Sequence, residues 1–372
     1  MPDRYIGLMS GTSLDGVDGV IYDFSSDSLK VIAYAGAPFP TELRAELLAL
    51  NAAGDNELHR AALAANRLTR VYADVVSKLL AQSSLKVSDI TAIGAHGQTV
   101  RHRPGEFDGT GYTLQLNNPA LLAELTQIDV VADFRSRDVA AGGQGAPLVP
   151  AFHQDVFARQ SDAVQREAMA VLNIGGISNL SVLGKVEPTL GFDCGPGNAL
   201  MDYWCHIHTG QLFDADGAWA ASGQVNTALL SQLMSEPFIG KAPPKSTGRD
   251  LFNPTWLKQQ MHGFDKIAAV DVQSTLTEFT ALACSKNAIK NNSKTLIVCG
   301  GGALNGHLMR RLQAALPDMT VASSQAFGLP PLQVEAAAFA WLARKAIRRE
   351  TASFKNVTGA QGSRILGAIY PG

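Results

Sequence analysis

Short clusters of glycine, hydroxyl and carboxylate residues carry the chemistry of this sequence. Ser10-Gly11-Thr12-Ser13-Leu14-Asp15-Gly16-Val17-Asp18 interrupts two apolar stretches and reads as the turn of a β-hairpin. Glycines let a backbone approach a ligand closely, and successive N–H groups in such a turn form a concavity suited to an anion. Ser10, Thr12 and Ser13 add hydroxyl donors, while Asp15 and Asp18 are carboxylates able to hold the water shell of a metal ion. An ordinary glycine-rich hairpin fits the same residues, because such tracts alone are weak signals. A second cluster, Gly175-Gly176-Ile177-Ser178-Asn179, again lies between apolar stretches and echoes the first. A third, Gly300-Gly301-Gly302, stands between an apolar run and a helical pattern, an arrangement that brings backbone close to a flat or anionic ligand.

Further polar groups follow predicted strands. His96-Gly97-Gln98-Thr99 comes directly after the apolar run 90–94. Residues at the carboxyl end of a strand in an open α/β sheet lie beside the ligand crevice; a polar loop with a solvated histidine is the equal alternative. Asp133-Phe134-Arg135-Ser136-Arg137-Asp138 follows the apolar run 128–132 and leads into the turn AAGGQGAP. Charges of both signs beside a flexible turn favour a hinge or ligand-binding edge over a surface ion-pair cluster, which stabilises little. Asp193 ends a predicted strand at about 186–192, beside Gly195-Pro196-Gly197, where nothing bulky blocks a substrate. Capping the next helix is its other use, although Asn198 is nearer the helix start and able to cap. His206 and His208 have no third ligand nearby in sequence and read as helix-end residues, and Cys194 as a small packing residue.

The elements that must position these groups follow from periodicity. Helices are expected at 41–52, 56–81, from 198, at 270–287, 306–315 and 332–348, with strands at 5–10, 17–24, 29–34, 169–174, 180–183, 294–298 and 319–322. Residues 104–112 read as a turn-rich excursion, 209–255 as mixed loop and helix, and the C-terminal tail offers only the short apolar run ILGAIY. At 372 residues the chain is long enough for two domains. The two similar hairpins suggest a duplicated architecture with a ligand between lobes. A formal net charge of −2 without a Lys/Arg block argues against a nucleic-acid surface. No apolar run approaches the roughly 18 to 20 residues that span a bilayer, and MPDRYIGLMS lacks a cleavable signal pattern. The four cysteines have no CxxC spacing, which suggests neither a zinc knuckle nor a disulfide framework; a reducing cytoplasm is the expected location.

Taken in order, hairpin turn, strand-end Asp/Arg, second hairpin turn, strand-end Asp, triple glycine and closing helix resemble the actin-like ATPase superfamily of sugar kinases and chaperone ATPases. More narrowly, GLMSGTSLDGVD, AHGQTV, DFRSRDVAAGGQGAPLVP, NIGGISNLS, FDCGPGNALMD, CGGGALN and VEAAAFAWLA resemble the anhydro-N-acetylmuramic acid kinase family over essentially the whole chain. The resemblance implies an α/β, two-lobed actin-like ATPase (ribonuclease H-like) fold. Each lobe would be a mixed sheet flanked by helices, with the active site in the interlobe cleft. One lobe would be residues 1–135 plus roughly 340–372, with the first phosphate hairpin and the sugar contacts; the other would be 136–339, with the second hairpin, the catalytic Asp and the adenosine turn.

The resemblance also implies a phosphotransferase that uses ATP and Mg²⁺. It would add water across the anhydro bond of the 1,6-anhydro sugar and phosphorylate O6 in peptidoglycan recycling. ATP contacts would fall on Gly11, Thr12, Ser13, Leu14, Asp15, Gly16, Val17, Asp18, Gly175, Gly176, Ser178, Gly300, Gly301 and Gly302. Asp193 would be the general base. The lactyl carboxylate calls for a cation, for which Arg135 is placed, and Thr99 and Glu335 are further sugar-contact candidates; a glutamate at a helix start also complements the helix dipole. Many superfamily members place an Asp directly after strand one, where this chain has Met9-Ser10, so the magnesium contacts are left unassigned. Another N-acetylhexosamine kinase and an ATP-driven regulator without a sugar acceptor are the competing readings. Oligomeric state is left open, with a homodimer as one option.

Overall fold

The computed structural model describes residues 3–11, 14–25, 30–158, 168–184, 188–243, 245–248, 251–289, 291 and 293–372. The chain forms two compact units, Met1–Val156 with Leu332–Gly372, and Phe157–Pro331. The division lies at 156 and 332, against the 135 and 340 expected from sequence. Residues 136–156 belong with the first unit because their polar groups are satisfied there. Thr358 donates to Asp138 Oδ1 at 2.8 Å, and the Trp341 indole donates to Asp155 at 2.7 Å.

The first unit is built on a six-stranded mixed sheet in the order Ala368–Tyr370, Val130–Ala132, Ala92–Ala95, Arg4–Met9, Gly16–Asp23, Val31–Pro38. The three central strands are parallel to one another and almost wholly buried, as expected of a sheet covered on both faces. Ile6 and Leu8 pack into one cluster with Leu68, Tyr72, Val75 and Leu79 of the long helix Glu57–Ser83. Gly7, between them in sequence, faces the opposite side, where the helix Val334–Ile347 lies on bare backbone. A Cβ on Gly7 would sit 1.8 Å from the Ala336 carbonyl oxygen, and one on its strand neighbour Gly94 would sit 2.0 Å from that of Phe339. Glycine is therefore required at both positions for this helix to reach the sheet.

Two departures from the sequence reading matter for the site. Gln98 and Thr99 open a strand, Gln98–Pro104, paired with Gly111–Leu116, so the expected excursion at 104–112 is the tip of a hairpin. The tail run ILGAIY supplies the edge strand Ala368–Tyr370, antiparallel to Val130–Ala132.

The second unit carries a five-stranded sheet in the order Leu190–Pro196, Ile177–Leu183, Met169–Ile174, Thr295–Cys299, Thr320–Ser323. Helix Ala269–Ile289 is buried along most of its length and packs in one core with Leu172, Phe192, Phe252, Trp256 and Leu296. Each unit is thus an α/β layer built on a mixed sheet. Among the described residues, no helix is long and apolar enough to cross a membrane.

Candidate functional site

The first polar turn connects Arg4–Met9 to Gly16–Asp23 in a register that pairs Met9 with Asp18. Gly11 is in the turn, and its carbonyl accepts from the Leu14 amide at 3.2 Å. Thr12 and Ser13 lie outside the described residues. Leu14 and Val17 are 4 % and 2 % exposed and sit in the core, so only their backbones could meet a ligand. Asp15 is exposed. Gly16 lies so close to the third strand that a Cβ would be 2.3 Å from the Ala37 carbonyl oxygen. Asp18 accepts a hydrogen bond from Tyr34 at 2.6 Å, and burial pushes its carboxyl above the usual range.

Residues 96–98 brace that turn from the neighbouring strand. Ser10 Oγ donates to Gly97 O at 3.1 Å and lies 2.9 Å from the Tyr72 hydroxyl, which also accepts from the Gly97 amide. Gln98 Nε2 donates to Gly11 O at 3.1 Å. His96 is buried against the Phe339 ring, with ring centroids 4.7 Å apart. Burial, and then the nearby Arg135 charge, push its pKa down to about 3. The solvated-histidine alternative for this segment is therefore excluded: the imidazole is neutral and enclosed. Thr99 Oγ1 accepts from Gln115 Nε2 at 3.2 Å.

Arg135 precedes the short helix Ser136–Ala140. Its guanidinium donates to His96 Nε2 from Nη2 at 2.9 Å and from Nε at 3.3 Å, and to Gly145 O from Nη1 at 2.7 Å. The turn that follows is organised by Asp138, fully buried, which accepts from the Gly145 amide and from Thr358. Of the charges at 133–138, Asp138 and Arg135 are thus tied into the fold, while Asp133 and Arg137 are exposed. Glu335 is half-buried in the first turn of Val334–Ile347, one turn before Phe339 and on the same helix face.

In the second unit, Gly175-Gly176 joins Met169–Ile174 to Ile177–Leu183. Gly197 and Ala199 amides donate to Gly176 O, and the Asn198 amide donates to Gly175 O. Asn198 does not cap its helix with its side chain; Nδ2 donates instead to Ile174 O at 3.1 Å. Its carbonyl is already helical, so the side chain is available to tie the turn to the helix start. Ser178 is fully buried, and its hydroxyl donates to the Gly195 and Pro196 carbonyls. Gly300 has φ 77° and presses its backbone onto Asn173; Gly302 packs on Ile174, while Gly301 is exposed. Gly301–Leu304 is a 3₁₀ turn, and Asn305 caps the helix Gly306–Ala315 by accepting from Leu308.

Asp193 stands where its strand bulges, between Asp193 and Gly195. Its amide donates to Lys245 O at 3.1 Å, and its Oδ2 accepts from the Thr247 amide at 2.8 Å. Lys245 is 5 % exposed, and its ammonium donates to the Phe238 carbonyl at 3.3 Å. The register places Asn173, Asn179 and Asp193 side by side on three adjacent strands, on one face of the sheet. The Oδ1 atoms of Asn173 and Asn179 are buried with no hydrogen-bond partner among the described residues. Cys194 is buried, and His206 and His208 are exposed at the end of Ala199–Thr209. Sequence reasoning missed Lys245 and Thr247, because PPKSTGRD offers only turn residues and no periodicity. At Tyr72 the helical spacing of 56–81 marks only an apolar position and gives no sign of the hydroxyl contacts to Ser10 and Gly97.

These two polar assemblies can be set beside known proteins. The chain is 66 % identical over 376 residues to an anhydro-N-acetylmuramic acid kinase of Variovorax paradoxus, covering 99 % of each. It is 62 % identical to one of Albidiferax ferrireducens, over 100 % of each, and 57 % identical to one of Cupriavidus pinatubonensis, over 99 % of this chain and 98 % of that protein. The family profile described as anhydro-N-acetylmuramic acid kinase matches residues 3–372. With both glycine turns, the braced arginine and Asp193 all inside that match, the chain belongs to the anhydro-N-acetylmuramic acid kinase family.

Proposed function

We propose that this protein opens 1,6-anhydro-N-acetylmuramic acid with water and transfers the γ-phosphoryl group of ATP to O6, giving N-acetylmuramic acid 6-phosphate and ADP, in cytoplasmic peptidoglycan recycling. Family membership at 66 % identity over the whole chain carries the reading. The Thr247 amide on Oδ2 fixes the orientation of the Asp193 carboxylate at the strand bulge. Water, deprotonated by Asp193, bonds to the anomeric carbon as the bond from that carbon to O6 breaks. O6 then attacks the γ-phosphorus in line, and the bond to the β-phosphate oxygen breaks. A positioned base of this kind contributes about 10² to 10⁴ in rate.

Backbone amides of the Gly11–Asp18 and Gly175–Ser178 turns suit the phosphates, and Gly300–Gly302 suits the adenosine. Arg135 would bind the lactyl carboxylate, with Thr99 and Glu335 on sugar hydroxyls or the acetamido group. Mg²⁺ neutralises phosphate charge when bound with ATP. The donors fit a hydrated hard cation: Asp18, whose carboxyl is held protonated more readily by burial, would regain its charge beside one and reach it through water.

The test is product analysis in ¹⁸O-water with ATP and the anhydro sugar. Label at the anomeric hydroxyl and phosphate on O6 are expected. Unlabelled product, or phosphorylation of the open-ring sugar at an equal rate, overturns the reading. Asp193→Asn should abolish turnover while ATP binding persists.

A further inference from the structure

His96 stands between the first glycine turn and Arg135, and its hydrogen bonds settle its tautomer. A guanidinium only donates, so His96 Nε2, 2.9 Å from Arg135 Nη2, must be the acceptor. The ring proton is then on Nδ1, which donates to Ser10 O at 3.3 Å. The ring cannot rotate to exchange these roles, since Phe339 lies against it and 5 % of the residue is exposed. His96 N also donates to Leu8 O, which fixes the backbone from which the ring projects. Arg135 is therefore held on its Nε/Nη2 edge by the imidazole nitrogen and on Nη1 by the Gly145 carbonyl.

We propose that His96 is a positioning residue that sets specificity for the lactyl-bearing sugar by orienting Arg135. Ser10 O supplies the fixed point, His96 transmits it, and the guanidinium presents its planar fork in one orientation. A planar bidentate contact is sensitive to such orientation, because both N–H groups must face the carboxylate together. The proposal rests on the reading that Arg135 binds that carboxylate.

The experiment compares kcat/KM for the 1,6-anhydro sugar with and without the lactyl group (the muramic and glucosamine forms) in the wild type, His96→Leu, His96→Gln, Arg135→Ala and the double variant His96→Leu/Arg135→Ala. His96→Leu should raise KM for the muramic form roughly 10- to 100-fold, the scale of a hydrogen bond to a charged group. The glucosamine form should lose far less than the muramic form, so that the ratio of the two kcat/KM values falls by the same factor. Glutamine keeps one donor and one acceptor and should recover part of the preference. In the double variant, loss of His96 should add nothing to loss of Arg135. Equal losses on both sugars, or additive losses in the double variant, overturn the proposal. If Arg135→Ala lowers the preference and neither His96 variant does, the proposal fails while the arginine reading stands. If Arg135→Ala leaves the preference intact, both fail.

Discussion

Acid should unfold the first unit early, and three histidines set the size of the effect. His96 and His153 are buried and held down to about 3, His153 by burial alone. His102 is held down to about 4, first by burial and then by Arg135, with Nδ1 against Thr113 Oγ1 at 2.9 Å. All three lie in Met1–Val156. In the unfolded chain each would titrate near 6.5. A base with a depressed folded pKa contributes stability that is fully present above the unfolded value and is lost as pH falls toward the folded value. Between pH 7 and pH 5 each histidine therefore removes about 2 kcal/mol, and the three together about 5 to 6 kcal/mol. That is comparable with the whole stability of a typical domain, about 5 to 15 kcal/mol. Urea unfolding followed at the two pH values should show this difference. His153→Phe, which keeps a ring and cannot protonate, should shrink it by about 2 kcal/mol whatever its effect at pH 7. An unfolding midpoint equal at both pH values, or a His153→Phe variant with the wild-type difference, would refute the reasoning.

Other perturbations separate the roles of the second unit's residues. Lys245→Met leaves the Phe238 carbonyl without its ammonium donor and loosens the segment that holds Asp193; kcat should fall about tenfold, on the scale of one buried hydrogen bond, with KM for ATP little changed in steady-state assays. Asn198→Ala removes the tie to Ile174 O and should raise KM for ATP several-fold more than KM for the sugar. Asn179→Leu deletes a half-buried amide whose Oδ1 has no hydrogen-bond partner among the described residues, next to Asp193, and should lower kcat while the melting temperature holds or rises, because an orphaned polar atom costs about 1 to 3 kcal/mol. Loss of both activity and stability would mean the amide is satisfied within the fold.

Much of the fold was legible because central strands and amphipathic helices write their period into the chain. The strand Met169–Ile174 and helix Gly306–Ala315 fall where apolar spacing put them. The glycine turns were legible as backbone features for the same local reason. What was not legible depends on partners far away in sequence. Gln98–Pro104 is a strand only because Gly111–Leu116 returns beside it, and its polar, half-exposed residues carry no clear alternation. The strap 245–247 is fixed by Asp193, over fifty residues earlier, through backbone groups that any residue type could supply. Asn198 looked like a cap because asparagine caps helices; here the nearest orphan acceptor was Ile174 O.

Gly7 and Gly94 show how a packing requirement becomes a chemical one. They are partners in the parallel pairing of Arg4–Met9 with Ala92–Ala95, and both are kept bare for one helix. Ala336 lies over Gly7 and Phe339 over Gly94, near the strand ends that Ser10 and His96 follow. Phe339 consequently meets the His96 ring, and Glu335 stands one turn nearer the helix start. Alanine at either glycine would force the helix away from the sheet by about 1 Å, since a Cβ contact below 3.0 Å is not tolerated against backbone. The Phe339 ring would leave His96, and the imidazole would gain room and water. Arg135 would then lose its fixed acceptor without any change to its own segment. A strand glycine thus bears on the orientation of the Arg135 guanidinium through three successive contacts, the last two being the Phe339 ring on His96 and the His96–Arg135 hydrogen bond.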